Sequence, residues 1–177
     1  MDWFTDRFLV WWLRSGRYGW SIIRRRLFEG AYLNKPLPQV NSVEEVHACL
    51  KEITWTQDGP LHLFDSISYP QMTWAKKKDD CDGFATLACE LLNRLGSDHN
   101  PVTATVMLRP FRKSHTVCVF NRSDGSFSFF DNSRLKEGFT GYPDVIEEIR
   151  ASRKAERVIC WDVRAFDTFE MKEFHQV

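Results

Sequence analysis

The sequence predicts an α+β fold, in which helices come first and an antiparallel sheet follows. Three observations lead to this prediction: an aromatic, arginine-rich start, a helical apolar repeat that begins at Cys81, and β-type alternation in most segments after Asn100. Helices followed by neighbouring strands are typical of α+β domains. The 177 residues fit one domain, and an apolar fraction of 43% is enough to bury a core.

Residues 1–35 are predicted to form a helical arm rich in Trp and Arg. Apolar residues recur there at helical spacing, and we expect two short amphipathic helices that break between Ser15 and Gly19. Trp and Arg side chains suit contact with a protein or a membrane surface, which residues 1–28 could make. The favoured alternative is that these large aromatic side chains pack on the body of the domain.

The catalytic core is predicted at residues 42–163, after an extended connector that contains two prolines. Ser42 and Glu45 spell a capping box, which predicts a helix from about Val43 to Ile53. The tripeptide Asp58-Gly59-Pro60 then predicts a turn.

A second predicted helix begins at Cys81, after an irregular segment at residues 61–75. Apolar residues recur every three or four positions until Gly96, which ends the helix. Asp79 or Asp80 suits the N-cap position, so Cys81 is expected in the first turn.

Beyond this helix the alternation of apolar and polar residues predicts strands and one further helix. The predicted strands cover residues 102–108, 116–120, 126–130 and 158–163, and the predicted helix covers residues 143–152.

The second and third of these strands should form a hairpin, with His115 at the start of one and Asp131 at the end of the other. A three-residue loop would make the two side chains diagonal neighbours, and a five-residue loop would set them directly opposite each other. An even loop would put them on opposite faces. The apolar residues at odd positions favour an odd loop, and we expect them to pack on the Cys81 helix.

Cys81, His115 and Asp131 form a candidate catalytic triad of nucleophile, base and orienting carboxylate. The positive end of a helix dipole favours a thiolate in the first turn. Acidic neighbours, among them Asp80 and Asp82, oppose that effect. An ion pair with His115 is therefore expected to matter more for activating the thiol.

These segments resemble the transglutaminase-like superfamily, in which a nucleophilic Cys opens a helix, with His on a following strand and Asp on the next. The matching segments are Asp79-Asp-Cys-Asp-Gly-Phe-Ala85, Ser114-His-Thr-Val117 and Phe129-Phe-Asp-Asn-Ser133. The resemblance covers about residues 42–135. Its strength lies in the order of the motifs and in their separations, 34 residues from Cys to His and 16 from His to Asp.

The resemblance implies a papain-like, transglutaminase-like fold, with the nucleophile helix packed on an antiparallel sheet. It also implies a cysteine hydrolase, a protease, isopeptidase or deamidase, that cleaves amide bonds of a peptide or protein through a thioester. Two alternatives stay open: acyl transfer to amines, which is transglutaminase activity, and a non-catalytic binding module on the same fold.

The oxyanion of such a reaction needs two hydrogen-bond donors. The backbone N–H of Cys81 is one candidate. The second is the Trp74 indole or the Gln71 amide, with Trp74 ranked first because an upstream Trp serves in some transglutaminase relatives.

Composition and cysteine usage exclude several other classes of function. The 24 basic and 24 acidic residues balance, so no net charge attracts nucleic acid. The five cysteines lack metal-ligand spacing, and we expect reduced thiols in a cytoplasmic chain without metal or cofactor. The N-terminus lacks the pattern of a secretory signal, and no apolar run is long enough for a transmembrane segment.

Overall fold

A six-stranded antiparallel sheet lies at the centre of the protein, whose computed structural model describes residues 2–57 and 66–177. Helices cover both faces of this sheet, so the predicted α+β class is confirmed. The predicted turn at Asp58-Gly59-Pro60 and the following residues through position 65 lie outside the described residues.

The helices and strands that the sequence predicts occur in the predicted order, with further elements between them. The helices are α1 Asp2–Trp11, α2 Arg17–Arg24, α3 Val43–Lys51, α4 Pro70–Lys76, α5 Cys81–Leu95 and α6 Tyr142–Ser152. The strands are β1 Thr54–Trp55, β2 Lys78–Asp79, β3 Val102–Arg109, β4 His115–Asn121, β5 Phe127–Asp131, β6 Arg134–Phe139, β7 Arg157–Arg164 and β8 Met171–Gln176. The order in the large sheet is β6-β5-β4-β3-β7-β8, and β1 pairs with β2 in a separate parallel pair.

Capping side chains mark the starts of α3 and α5, and a glycine marks the end of α5. Ser42 Oγ accepts a hydrogen bond from the Glu45 amide at 3.3 Å at the start of α3. At the start of α5, Asp80 Oδ1 accepts one from the Asp82 amide at 2.9 Å. Gly96, with a φ of +138°, ends α5 in a conformation that side chains disfavour.

The hairpin of β4 and β5 has the three-residue loop that was one of the two predicted odd loops. Asn121 pairs with Phe127, and the Arg122 amide donates to the Ser126 carbonyl at 2.9 Å. The loop residue Gly125 has a φ of +83°, as a left-handed turn position requires. This register makes His115 and Asp131 diagonal neighbours on one face, so the directly opposed arrangement of the five-residue loop is wrong.

The odd-numbered residues of this hairpin do not pack on α5, as the sequence analysis expected. They face α6, whereas the even-numbered residues face α5 and α3. The α6 side contains Val117, Val119 and Phe129 with Val145, Ile146 and Ile149. The α5 side contains Cys118, Phe120 and Phe130 with Ala85, Ala88 and Leu92. Because both sets are apolar, alternation alone could not indicate which face meets which helix.

The N-terminal arm is helical without the predicted break. A π-helical turn at Trp12–Gly16 joins α1 directly to α2, and further irregular helical turns continue to Tyr32. Leu13 and Tyr18 are buried beside Met107 of β3 and anchor the inner side of the arm to the sheet. Burial on both sides of the junction therefore holds the helical path together.

The outer side of the arm is aromatic and exposed. Trp3, Trp11 and Trp20 have exposed fractions of 59%, 55% and 47%, so the alternative in which these side chains pack on the domain is wrong for them. Among the described residues, no helix combines the length and apolarity that crossing a membrane requires.

Five elements were not predicted from the sequence: α4, the short strands β1 and β2, and the strands β6 and β8. Helix α4 lies in the segment interpreted as irregular. Strands β6 and β8 form the two edges of the sheet. No residue of either strand is fully buried, so neither presents an alternating apolar face that the sequence could reveal.

Candidate functional site

Cys81 is the first residue of α5, as predicted, and its side chain is 7% exposed. Its Sγ lies 3.8 Å from Asp82 Oδ1, and the backbone N–H of Thr116 in β4 also contacts it. The described contacts of Cys81 include no hydrogen bond to His115. The thiol therefore lies between the start of a helix and the start of a strand.

His115 and Asp131 are joined by a short hydrogen bond between His115 Nε2 and Asp131 Oδ1, 2.6 Å long. His115 is the first residue of β4 and is 2% exposed, and Asp131 is the last residue of β5. Because Asp131 uses Nε2, the other ring nitrogen, Nδ1, is left for a reacting partner.

Cys81 and His115 line the same small cavity at the end of the sheet. This Cys81 cavity has room for no more than about one water molecule. Its other walls come from α5, β3, β4, the connection between β3 and β4, and the arm. They comprise Arg17, Asp82, Thr105, Phe111, Arg112, Ser114 and Thr116. Cys81 and His115 therefore share one narrow cavity.

Arg153, the residue that follows α6, lies against His115. Its Nη2 is 2.9 Å from Nδ1 and 2.8 Å from Nε2 of the ring, and 3.4 Å from Asp131 Oδ1. An atom nearly equidistant from both ring nitrogens cannot lie along either lone pair, so the guanidinium contacts the face of the imidazole. It thus occupies space beside the nitrogen that would serve Cys81.

Arg17 of the arm forms a buried ion pair with Asp82, the residue after Cys81. Its other terminal nitrogen donates to Thr105 Oγ1 at 3.3 Å and to Thr116 Oγ1 at 3.4 Å. Burial raises the pKa of Asp82, but the charge and hydrogen bond of Arg17, with smaller contributions from Thr116 and His115, together outweigh burial and hold that pKa below its usual value. Asp82 is therefore a buried carboxylate whose counter-ion comes from the arm.

The electrostatics of this state favour a neutral thiol and a neutral imidazole. Burial, with Asp82 and Asp80, raises the pKa of Cys81 well above its usual value. Burial and the Arg153 charge lower the pKa of His115, against the raising effect of the hydrogen bond that the ring donates to Asp131. The pKa of Asp131 falls to about 2 because the His115 bond and nearby cations outweigh its burial. The expected ion pair of Cys81 and His115 is thus not favoured in the closed cavity.

The two predicted oxyanion donors lie upstream on α4, and neither lines the Cys81 cavity. Trp74 packs against the core between α3 and α5, with Lys77 over its ring. The side-chain oxygen of Gln71 is buried without a hydrogen-bond partner in the described part of the chain. The structure therefore brings Cys81, His115 and Asp131 together and leaves Trp74 and Gln71 apart from them.

Donor atoms of Asp80, Cys81 and Asp82 lie within 4.8 Å of one another, a spacing at which they could hold a metal ion. Two of the three have other roles in the structure. Asp80 caps α5, and Asp82 pairs with Arg17. From the sequence, Asp82 is expected only to oppose the thiolate, because its partner Arg17 lies 65 residues away.

A wider groove of about 420 Å³ opens beside Asp131 on the other side of Arg153. We call it the basic groove, because three cations line it. It is lined by Ile53, Trp55, Phe84, Asp131, Asn132, Ser133, Arg134, Lys136, Ser152 and Arg153. Sequence reasoning missed its cations and Arg17, because they are brought together only by the fold.

The chain matches no protein-family model and no curated protein. The fold and the site together define an α+β protein with a buried Cys and His, and a partly buried Asp, at one end of its sheet.

Proposed function

We propose that this protein is a cysteine-dependent hydrolase of peptide or protein amide bonds, with a papain-like fold of the transglutaminase-like type. The observation that carries the proposal is the 2.6 Å bond between His115 Nε2 and Asp131, beside a cavity that His115 shares with Cys81. A base held by a carboxylate and a thiol at a helix start are the parts that such chemistry needs.

In the proposed reaction, His115 takes the thiol proton and the Cys81 sulfur attacks the carbonyl carbon of the amide. The C–N bond breaks as the amine leaves with the proton from His115, and water then hydrolyses the thioester. Asp131 holds the ring orientation. The N–H of Cys81, at the first turn of α5, supports the developing oxyanion. Substrate must first open the cavity, since the resting thiol is neutral and buried.

Alkylation by iodoacetamide across pH tests the triad, with the modified residue located by mass spectrometry. We expect labelling of Cys81 that slows in His115→Ala and disappears in Cys81→Ala. Cys49→Ala is the matched control, because Cys49 is a half-buried thiol away from the cavity. The triad would be rejected if the protein is labelled at the same rate in Cys81→Ala as in wild type, or if His115→Ala does not change the rate.

An activated ester that acylates Cys81 distinguishes hydrolysis from transfer. We expect the acyl-enzyme to decay at the same rate with and without an added primary amine. Decay that the amine accelerates, with formation of the amide, would instead assign acyl transfer. A wild-type protein that reacts with neither ester nor iodoacetamide would fit the non-catalytic module.

We also propose that the outer face of the arm contacts an anionic membrane surface. Trp3, Phe4, Phe8 and Trp11 are all exposed on α1, beside the exposed cation Arg7. Interfacial helices combine such aromatic and cationic side chains. The described carboxylates of the arm do not repel an anionic surface, because they are paired or buried. Asp6 binds Arg109 and Arg157, each at 2.6 Å, and Glu29 is buried.

The five free thiols support a cytoplasmic setting for this contact, where the inner leaflet is anionic. Sedimentation with phosphatidylcholine vesicles, with and without phosphatidylglycerol, tests it. We expect salt-sensitive binding to the anionic vesicles that is lost in Trp3→Ala/Trp11→Ala and kept in the control Trp55→Ala. Absence of binding, or self-association through the same residues in light scattering, would contradict it.

A further inference from the structure

The basic groove next to the triad carries more positive than negative charge. Arg134, Lys136 and Arg153 line it, and Asp131 is its one lining carboxylate. Asp131 is already engaged by His115 at 2.6 Å and by Arg153 at 3.4 Å. The carboxylate in the wall therefore offsets little of the charge that faces the open space.

Two of the three cations retain the capacity to bind an anion. Arg134 is exposed and has no carboxylate partner in the described part of the chain. Arg153 contacts the ring of His115 with one terminal nitrogen, and its side chain is about one-third exposed. Lys136 pairs with Glu148 at 2.6 Å, so it adds less. Guanidinium groups bind carboxylates with two parallel hydrogen bonds, which an imidazole face cannot offer.

Arg153 connects the groove to the catalytic base. A carboxylate in the groove would compete with the His115 ring for the Arg153 guanidinium, and a charge-assisted bond is stronger than contact with a neutral ring. Moving Arg153 away would free the space at Nδ1 of His115, where the Cys81 thiol has to approach. Binding of a carboxylate in the groove is thereby linked to the access that Cys81 has to Nδ1 of His115.

The other walls of the groove suit a peptide. Trp55 is 48% exposed and offers a flat apolar surface, and Asn132, Ser133 and Ser152 add hydrogen-bonding groups to the lining. Groups of this kind commonly line sites for extended ligands, with a few charges that fix orientation. The volume of about 420 Å³ accommodates a short peptide segment and excludes a folded domain.

We propose that the basic groove binds a carboxylate of the substrate, held by Arg153 and Arg134, and that this enzyme prefers peptides with an acidic group near the scissile amide. The preference for acidic substrate rests on the proposed function. The binding of the carboxylate does not, and it can be measured without catalysis.

The test uses three peptides and the full-length Cys81→Ala variant, so that no reaction occurs. Acetyl-Gly-Glu-Gly-amide carries a side-chain carboxylate, and acetyl-Gly-Gln-Gly with a free C-terminus carries a terminal one. Acetyl-Gly-Gln-Gly-amide is the neutral isostere. NMR shift perturbation measures affinity, and the indole N–H signal of Trp55, assigned with Trp55→Phe, reports whether the groove is occupied.

We expect both charged peptides, or one of them, to bind more tightly than the neutral peptide and to shift the Trp55 signal. The preference should decrease with salt. Each of Arg153→Gln and Arg134→Gln should reduce it by roughly two- to fivefold, as partly exposed ion pairs do. The control Arg94→Gln, an exposed cation on α5 paired with Glu90, should leave it unchanged.

Which charged peptide binds tells side-chain from terminal recognition. Equal affinity for all three peptides, or a preference that survives both arginine substitutions, would overturn the proposed site. The result is independent of the triad. If charged peptides bind in the groove while Cys81 fails the alkylation test, the carboxylate site is supported and the proposed hydrolase function is rejected.

Discussion

The carboxyl group of Asp79 fills the space where a side chain on Gly83 would begin. A Cβ added to Gly83 would lie 2.1 Å from Asp79 Cγ, which is less than any real contact. Asp79 is held there by a hydrogen bond from Thr73 Oγ1 and another from the Asp80 amide. This close approach fixes the first turn of α5, and with it Cys81, against the strand that precedes it.

Gly83→Ala should therefore destabilise the protein by about 1–3 kcal/mol, because the buried Asp79 side chain has to move. Urea denaturation measures the change in the free energy of unfolding. Gly19→Ala is the matched control, since a Cβ there meets nothing within 4 Å. In helix α2 that change should stabilise by about 0.5–1 kcal/mol. Equal stability of Gly83→Ala and wild type would show that Asp79 is not fixed.

Arg17→Gln should cost about 3–5 kcal/mol, because it leaves the Asp82 carboxylate buried without its counter-ion. The control Arg26→Gln changes an exposed arginine of the same arm and should stay within about 0.5 kcal/mol. Both are measured by urea denaturation. The double variant Arg17→Met/Asp82→Leu should lose less than Arg17→Gln alone, since no buried charge remains. A larger loss of stability in the double variant would show that the shape of the two side chains, and not the buried charge, determines the loss.

Arg153→Gln should raise the pKa of His115. The positive charge of Arg153 is one of the causes that lower that pKa, after burial, and glutamine removes it. Titration of the His115 ring by NMR measures the shift. Arg150→Gln, one turn earlier on α6, serves as the control because Arg150 pairs with Glu147 and does not contact His115. An unchanged or lower pKa in Arg153→Gln contradicts the assigned contact.

The stabilising effect of Asp131 should depend on pH between about 4 and 2. Its folded pKa of about 2 lies below the unfolded value of about 4, so the carboxylate stabilises the fold above pH 4. That contribution, about 2 kcal/mol, is lost as the pH falls through the folded pKa. Denaturation of wild type and Asp131→Asn across pH measures it.

The control for this pH dependence is Glu52→Gln, which removes a surface carboxylate paired with Lys77 at 2.8 Å. Its effect should stay below about 1 kcal/mol, as for other exposed pairs. If the difference between wild type and Asp131→Asn is the same at pH 7 and pH 2, the assigned carboxylate bond to His115 is wrong.

The sequence by itself determined the parts of the site that depend on local physics. Asp80 and Gly96 mark the ends of α5 through capping and a positive φ, and so put Cys81 in the first turn. Gly125 supplies the left-handed position of a three-residue loop, and the parity of that loop puts His115 and Asp131 on one face. These signals act within a few residues, so they can be interpreted without the fold.

Tertiary structure decided what the site contacts. Both faces of the β4–β5 hairpin are apolar, and only packing shows that the His115 face meets α6 rather than α5. Arg17 lies 65 residues from Asp82, and Arg153 lies 38 from His115. No local sequence pattern indicates these two pairs, because an arginine contacts a buried partner only when folding has brought distant segments together. The sequence thus predicted that Cys81, His115 and Asp131 meet in one site, and the fold determined the charges around them and the small size of the cavity.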